Sequence, residues 1–290
     1  MKSLVKLNLA RNCLKYIIKS YGIKQLFIPY FTCPVIWQSV REVGCRVKFY
    51  HIDEKFLPTI DFNKNDYILY TNYFGLCDEN CKFLEIKYPN LIVDNSQSFY
   101  SQNFGLATFN SLRKFFKVQN GAYLYIEKML AEQLPNDELC FSFIPSMQEN
   151  YEAFLKNELT LDKEKSIKSI SKNVEKQMLQ IDFDKDVSFR KEYFNKYAEV
   201  FDKFNNIKMK KSNDFVPYCY PLSTSNEKVK KNFSSLNIPL LRLWKDLPEN
   251  FIESSTFNDV IALPLDDKKI ADYILEKLKK IQMRCTTSGE

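Results

Sequence analysis

The stretch Leu91-Ile92-Val93-Asp94-Asn95-Ser96-Gln97 determines how the rest of this sequence is interpreted. It opens with a short apolar run that ends in a carboxylate, which is typical of a buried strand leading into a polar turn. In an open sheet of parallel strands, ligands bind at the carboxyl ends of the strands. A carboxylate that leaves an apolar strand is partly desolvated and favours a cationic partner. Asp94 is therefore a candidate site residue, although a helix N-cap would explain it equally well.

Helical and strand patterns alternate on both sides of this stretch, from residue 1 to about residue 126. Such alternation predicts an α/β fold with a mostly parallel sheet and helices on both faces. The predicted strands are Gln25–Pro29, Arg46–Ile52, Tyr67–Thr71, Leu91–Asp94 and Ala122–Ile126, and the predicted helices are Leu9–Tyr21, Val35–Val43 and Glu79–Tyr88.

The second half of the chain has a different pattern. Residues 146–206 carry no strand signal, and their mixed charges and spaced apolar residues predict solvated amphipathic helices. Two short apolar runs with prolines near their ends, Val216–Leu222 and Ile238–Trp244, predict a small sheet beside a final helix. We therefore expect a large domain over residues 1–200, of which 146–200 form a helical connection, and a small α+β domain over residues 201–290 that walls the substrate cleft.

Composition excludes several classes of protein. The chain has 290 residues, 45% hydrophobic and 27% charged, which is ordinary for a soluble globular protein and unlike a disordered or membrane-embedded one. Its net charge of +6 comes from basic and acidic residues that are interspersed, so we expect no nucleic-acid partner and no membrane partner. The eight cysteines form no regular framework and there is one histidine, so we expect reduced thiols, no metal site and a cytoplasmic location.

A second candidate site residue lies twenty positions after Asp94. Lys114 ends the segment Ser111-Leu112-Arg113-Lys114, which follows an apolar stretch and precedes the turn glycine Gly121. A lysine there could face the same strand edge as Asp94, or it could be an ordinary surface residue.

Several motifs occur together in an order that resembles the DegT/DnrJ/EryC1/StrS family of pyridoxal-phosphate-dependent, fold type I nucleotide-sugar aminotransferases. The resemblance covers residues 7–126 and returns at 216–243 and 262–280. The segments that carry it are Ala10-Arg11-Asn12-Cys13-Leu14, Phe27–Thr32, Gly44, Tyr70–Gly75, Ile92–Ser98, Thr108–Lys114, Gln119–Ala122 and Ala262–Leu265.

The resemblance implies pyridoxal phosphate as cofactor and gives the candidate residues their roles. Lys114 would form the Schiff base with the cofactor aldehyde and act as general base on the substrate. Asp94 would keep the pyridine nitrogen protonated, and Gln97 would hydrogen-bond near the ring hydroxyl. The phosphate would be held by the helix start at Arg11 and Asn12 and by the hydroxyl of Ser111.

The resemblance also implies the substrates and the assembly. We expect amination of a keto-sugar nucleotide or a related small ketone in surface-glycan biosynthesis, with an amino acid such as glutamate as donor. Arg242 and Trp244 fall where family members often meet the sugar nucleotide, although Trp244 could equally cap the core. We also expect a homodimer with its active site at the subunit boundary.

Some positions depart from the family pattern. The aromatic residue that stacks on the cofactor ring usually follows the threonine of the first strand end, where this chain has Cys33. Tyr30, Phe31 or Trp37 could substitute, and the sequence does not distinguish among them. The missing aromatic and the short middle of the chain also favour an alternative, a non-catalytic homologue with a structural or regulatory role in the same pathway.

Overall fold

A seven-stranded sheet forms the larger part of the molecule, for which we describe a computed structural model covering residues 1–138, 146–209, 214–245 and 247–286. Its strands lie in the order β1-β7-β6-β5-β4-β2-β3. The strands are β1 (Ser3–Leu7), β2 (Gln25–Pro29), β3 (Arg46–Tyr50), β4 (Ile68–Thr71), β5 (Leu91–Asn95), β6 (Ala107–Asn110) and β7 (Ala122–Ile126). Only β7 runs against the others, because it pairs antiparallel with both β6 and β1. The predicted mostly parallel α/β sheet is confirmed.

Three helices connect the parallel strands of this sheet: α1 (Ala10–Tyr21), α2 (Pro34–Glu42) and α3 (Asp78–Lys87). α1 ends at Gly22, whose left-handed backbone (φ 66°) suits a residue without a side chain. Leu14, Ile17 and Ile18 of α1 are buried against the sheet, at the helical spacing that predicted them.

Three further helices follow the large sheet: α4 (Tyr151–Lys163), α5 (Lys172–Met178) and α6 (Phe183–Phe201). Each begins with a side-chain cap, in which Asn150, Ser171 and Asp182 accept from backbone N–H groups of the first turn. The helical character predicted for 146–206 is therefore confirmed, although residues 164–171 interrupt it. Within that interruption Ser169 makes an isolated bridge with Leu7, at the end of β1.

The small sheet has three strands, one more than the two that the sequence predicted. β8 (Cys219–Leu222) and β9 (Leu241–Leu243) do not pair with each other, because β10 (Val260–Pro264) lies between them and is antiparallel to both. The remaining helices are α7 (Glu227–Ser234), α8 (Ser254–Phe257) and α9 (Lys268–Thr286). α6 packs against this sheet, with the rings of Phe194 and Tyr220 5.2 Å apart.

The parallel strands of the large sheet bring their carboxyl ends together at one edge. β1, β2, β4, β5 and β6 all point the same way, so the residues that follow them meet at the carboxyl edge. The small sheet lies beside this edge. Trp244 directly follows β9 and Phe31 follows β2, and the centroids of their rings are 4.6 Å apart.

Candidate active site

Asp94 lies at the carboxyl edge of the large sheet, as the next-to-last residue of β5. Its side chain is 4% exposed, and its Oδ1 accepts a hydrogen bond from the backbone N–H of Ser96 at 2.8 Å. Burial raises the pKa of the Asp94 carboxyl, and the nearby charge of Lys114 partly opposes that rise. A buried carboxylate with this balance is short of positive charge and would gain from a further cationic partner.

Lys114 stands across from Asp94 at the end of a short 3₁₀ helix, Leu112–Lys114, that follows β6. The turn is held from both ends: the N–H of Leu112 donates to the carbonyl of Gly121 at 2.9 Å, and Arg190 donates to the carbonyl of Phe115 at 2.9 Å. Lys114 is half-buried and lines the same cavity as Asp94. The structure therefore brings together the two residues that sequence reasoning placed at the strand ends.

The cavity has two lobes that share the side chains of Cys33, Gln97, Arg113, Lys114 and Trp244. The inner lobe is small, and Asp94 lies in its wall. The outer lobe has a volume of about 370 Å³ and opens between the large sheet, helix α4 and the small sheet. Lys114 is at the junction, where it can reach a group in either lobe.

The start of helix α1 forms one wall of the inner lobe. Leu9, the residue before the helix, provides no side-chain cap, and Leu9, Ala10 and Arg11 all line the lobe. Backbone N–H groups of a first helical turn have no partner within the helix and attract anions. Ser111, 4% exposed, lines the same lobe. Arg11 also lines it, but its guanidinium is paired with Asp162 at 2.8 Å.

Asn12 is the one predicted cofactor residue whose side chain the structure places elsewhere. Its Nδ2 donates to Asn8 Oδ1 at 3.0 Å and to the carbonyl of Ser166 at 2.7 Å, and it lines neither lobe. The helical period explains this, because α1 turns Asn12 toward residues 164–171 while Ala10 and Arg11 face the cavity. Asn12 therefore ties the helix start to that segment.

Gln97 lines both lobes, yet half of its amide is already engaged. Its Oε1 accepts a hydrogen bond from the backbone N–H of Phe74 at 2.9 Å. Phe74 itself has a left-handed backbone conformation with φ 60°. That bond orients the amide and leaves Nε2 as the group that can donate to a ligand.

Arg242 and Trp244 both reach the cavity from the small sheet. Arg242 lines the outer lobe and is ion-paired with Asp259, while Trp244 lines both lobes. Trp244 is also packed against the core rings of Phe31 and Tyr73, so its side chain lies between the cavity and the core.

Sequence reasoning missed several lining residues. Thr32 and Thr71 line the inner lobe with their hydroxyl oxygens 3.4 Å apart. Thr71 ends a predicted strand and Thr32 lies three residues after another, Gln25–Pro29, and these positions were the available signal. Asn157 and Glu158 of α4 line the outer lobe, and Glu158 pairs with Arg113. Their helix carried only a solvated amphipathic pattern, which gave no indication of the site.

Comparison with known proteins identifies this architecture. No family model matches the sequence, and no curated protein matches it. Among solved structures, an aminotransferase of the DegT/DnrJ/EryC1/StrS family from Brucella abortus superposes with a TM-score of 0.61 at 13% identity, over 96% of this chain and 85% of its own. The chain has the fold of the DegT/DnrJ/EryC1/StrS aminotransferases. The fold-level resemblance predicted from the motifs is thereby confirmed.

Two further members of this fold extend the comparison. DesV from S. venezuelae, solved with a ketimine intermediate, matches at TM-score 0.65 and 12% identity, over 96% of this chain and 84% of its own. Spr1654 from Streptococcus pneumoniae, assigned as a sugar aminotransferase and solved in its PMP form, matches at 0.66 and 14%, over 97% and 88%. This aminotransferase fold is therefore present nearly from end to end.

Membrane-spanning helices and clusters of metal ligands are both absent from the described residues. No helix among them is long and apolar enough to cross a membrane. No three side chains of His, Cys, Asp or Glu within that part of the chain gather as metal ligands would.

Proposed function

We propose that this protein is a pyridoxal-phosphate-dependent aminotransferase that aminates a keto-sugar nucleotide, with Lys114 as its Schiff-base lysine and general base. The observation that carries the proposal is the placement of Lys114 and Asp94 on one small lobe, beside an uncapped helix start and the Ser111 hydroxyl. These groups match the three parts of the cofactor: an aldehyde, a basic ring nitrogen and a phosphate.

Pyridoxal phosphate supplies, when bound, an electron-withdrawing ring that stabilises negative charge on the substrate carbon next to the nitrogen. Asp94 would pair with the protonated ring nitrogen and keep it protonated. The burial that raises the pKa of its carboxyl also makes a cationic partner valuable there. The N–H groups at the start of α1 and the Ser111 hydroxyl would bind the phosphate. Arg11 would add charge to the extent that Asp162 leaves it available.

Lys114 would carry the cofactor covalently and then move the substrate proton. A lysine at the junction of the two lobes can attach to a group in the inner lobe and, once displaced, stay within reach of a substrate in the outer lobe. The Nε2 of Gln97 would donate to a polar group on the ring, since its Oε1 is held by Phe74.

The outer lobe supports a substrate larger than an amino acid. Its volume of about 370 Å³ is in the range of small-molecule sites. Besides Lys114, three cationic side chains line it, Arg113, Lys117 and Arg242, and each of these three is ion-paired with a carboxylate. We propose that the nucleotide phosphates of the keto sugar take over part of this pairing and that glutamate, as donor, uses the same lobe in the other half-reaction.

We also propose that the enzyme works as a homodimer, with helix α4 at the interface. Tyr151, Leu155 and Leu159 lie at four-residue intervals and are 52%, 41% and 55% exposed, so they form an apolar stripe on α4. An adjoining part of α4 lines the outer lobe through Asn157 and Glu158. A second copy seated on the stripe would therefore lie beside the substrate.

The proposed setting is the cytoplasm, in surface-glycan biosynthesis. The six cysteines whose side chains the structure describes are all free, which supports a reducing compartment.

A non-catalytic homologue is the second candidate, and Cys33 favours it. Cys33 lines both lobes at the position where the family pattern has the aromatic residue that stacks on the cofactor. A chain that had lost catalysis could lose that residue without consequence.

One labelling experiment separates the two candidates. The purified protein is incubated with pyridoxal phosphate, reduced with borohydride and digested with trypsin. Cleavage follows Arg113 but is blocked at a modified Lys114, so the expected product is the peptide 114–117 carrying a phosphopyridoxyl group. Lys114→Arg should abolish the label and Lys117→Arg, the neighbouring lysine on the outer lobe, should retain it. A folded protein that takes no label supports the non-catalytic homologue, and a label on another lysine contradicts the role of Lys114.

A further inference from the structure

The aromatic residue missing at Cys33 is not replaced by its neighbours in sequence. Tyr30 stacks on Phe49 with ring centroids 4.8 Å apart, and Trp37 lies under the guanidinium of Arg41. Phe31 is fully buried in the core. None of these three aromatic residues lines either lobe of the cavity.

Trp244 does line the inner lobe, and within the described part of the chain it is the one aromatic side chain that does so. Its indole is held from the large-sheet side by two rings that meet it nearly at right angles. The centroid of Phe31 lies 4.6 Å away at 86°, and that of Tyr73 lies 5.8 Å away at 79°. Edge-to-face contacts of this kind fix a ring in position.

The backbone that presents Trp244 is unusual as well. Trp244 has φ 48° and Asp259 has φ 70°, both in the left-handed region that is costly for a residue with a side chain. Leu243 pairs with Val260, so Trp244 leaves β9 at the place where Asp259 enters β10. The ion pair between Arg242 and Asp259 joins the same two strands. A strained strand end that is braced in this way points to a required position for the Trp244 side chain.

We infer that Trp244 contacts the pyridine ring of the cofactor and takes over, from the small sheet, the role of the aromatic residue absent at Cys33. This inference rests on the proposed function. An indole is well suited to the task, since it would offer a large π face to a ring whose nitrogen carries a proton and a positive charge while it is paired with the Asp94 carboxylate. The small sheet thereby contributes to cofactor binding as well as to the substrate lobe.

The test measures cofactor affinity in the cofactor-free protein, without any need for turnover. Pyridoxal phosphate is titrated into wild type, Trp244→Phe and Trp244→Leu, and the dissociation constant is read from the visible absorbance band. Leu keeps much of the packing volume against Phe31 and removes the π face, whereas Phe keeps a ring. The control is Trp37→Leu, which removes the only other tryptophan, outside the cavity.

We expect Trp244→Leu to weaken the affinity about three- to tenfold, and Trp244→Phe and Trp37→Leu to change it less than about twofold. Equal affinities of Trp244→Leu and Trp244→Phe for pyridoxal phosphate would overturn the inference, because contact with the cofactor ring requires an aromatic side chain at residue 244. This holds whether or not the two variants lose thermal stability. An unchanged affinity with a raised KM for the ketone would likewise overturn it in favour of a substrate-wall role. If wild type itself binds no pyridoxal phosphate, the proposed function fails and the inference fails with it.

Discussion

Replacing Arg190 with alanine should be among the most destabilising single changes in this protein. Arg190 lies on α6 and its side chain is fully buried. Its Nε pairs with Asp186 at 2.7 Å, Nη1 donates to the carbonyl of Tyr218 at 3.1 Å, and Nη2 donates to the carbonyl of Phe115 at 2.9 Å. Its Cζ also lies 4.6 Å from the ring centroid of Phe115. One side chain therefore joins α6 to the turn after Lys114 and to the segment that leads into β8.

The magnitude follows from what alanine leaves behind. Two backbone carbonyls lose a charged donor, and Asp186 keeps only the hydroxyl of Tyr100, which donates to it at 2.6 Å. Removing one partner of a buried ion pair costs about 3–5 kcal/mol. Because Asp186 is 19% exposed and can be partly rehydrated, we expect Arg190→Ala to lower the free energy of unfolding by about 4 kcal/mol. Arg190→Lys keeps the charge without the planar fork, so it should lose about half as much.

Equilibrium unfolding in urea, followed by circular dichroism on the cofactor-free protein, measures this loss. Arg41→Ala is the matched control, since Arg41 also lies over an aromatic ring, 4.8 Å from the centroid of Trp37, but is exposed. Its loss should stay below about 1 kcal/mol. If Arg190→Ala costs no more than Arg41→Ala, the view that Arg190 links these elements is wrong.

Three other changes test separate parts of the structure. Because burial raises the pKa of Asp94, its ionised form destabilises the cofactor-free fold at pH values above the usual aspartate range and not below it. Asp94→Asn should therefore raise the melting temperature of the cofactor-free protein at about pH 8, and raise it less at about pH 4. The same variant should bind pyridoxal phosphate more weakly. A lower melting temperature at about pH 8 would contradict this reasoning. Gly75→Ala should reduce both stability and cofactor affinity, since Gly75 has φ 75° and an added Cβ would lie 2.5 Å from the carbonyl oxygen of Val216; a variant indistinguishable from wild type in both would show that the contact relaxes freely. Leu155→Glu, on the exposed stripe of α4, should convert a dimer into a monomer by light scattering, and a wild-type monomer would refute the proposed interface.

Much of the large sheet could be predicted from the sequence, because buried parallel strands are continuous apolar runs. Three strands were missed for different physical reasons. β1 is an edge strand that is mostly exposed and carries Lys6, and β6 has only four residues and no alternation. β10 matched a family motif near Ala262, but its apolar run was not identified as a strand.

Some residues of the candidate site could likewise be predicted from local sequence patterns, and others could not. Asp94 and Lys114 were predictable, because strand ends of a parallel sheet converge whatever the details of packing. The side-chain direction of Asn12 depends on how α1 is rotated against residues 164–171, which no local pattern contains. The position of Trp244 depends on strand register in the small sheet and on a left-handed backbone, and neither is encoded by the residues next to it.

The pairing of β1 with β7 has a consequence for how the protein is made. Ser3 pairs with Ile126, so β1 leaves the ribosome more than a hundred residues before its partner strand does. At about 5–20 residues per second, β1 would wait roughly 6–24 s before it could be completed. Helix α1 follows β1 directly, so its start cannot be fixed at the sheet edge before then, and Trp244 emerges later still. The groups proposed to bind the cofactor can therefore come together only after both β7 and Trp244 have been synthesised, so cofactor binding would report on pairings that are distant in the sequence.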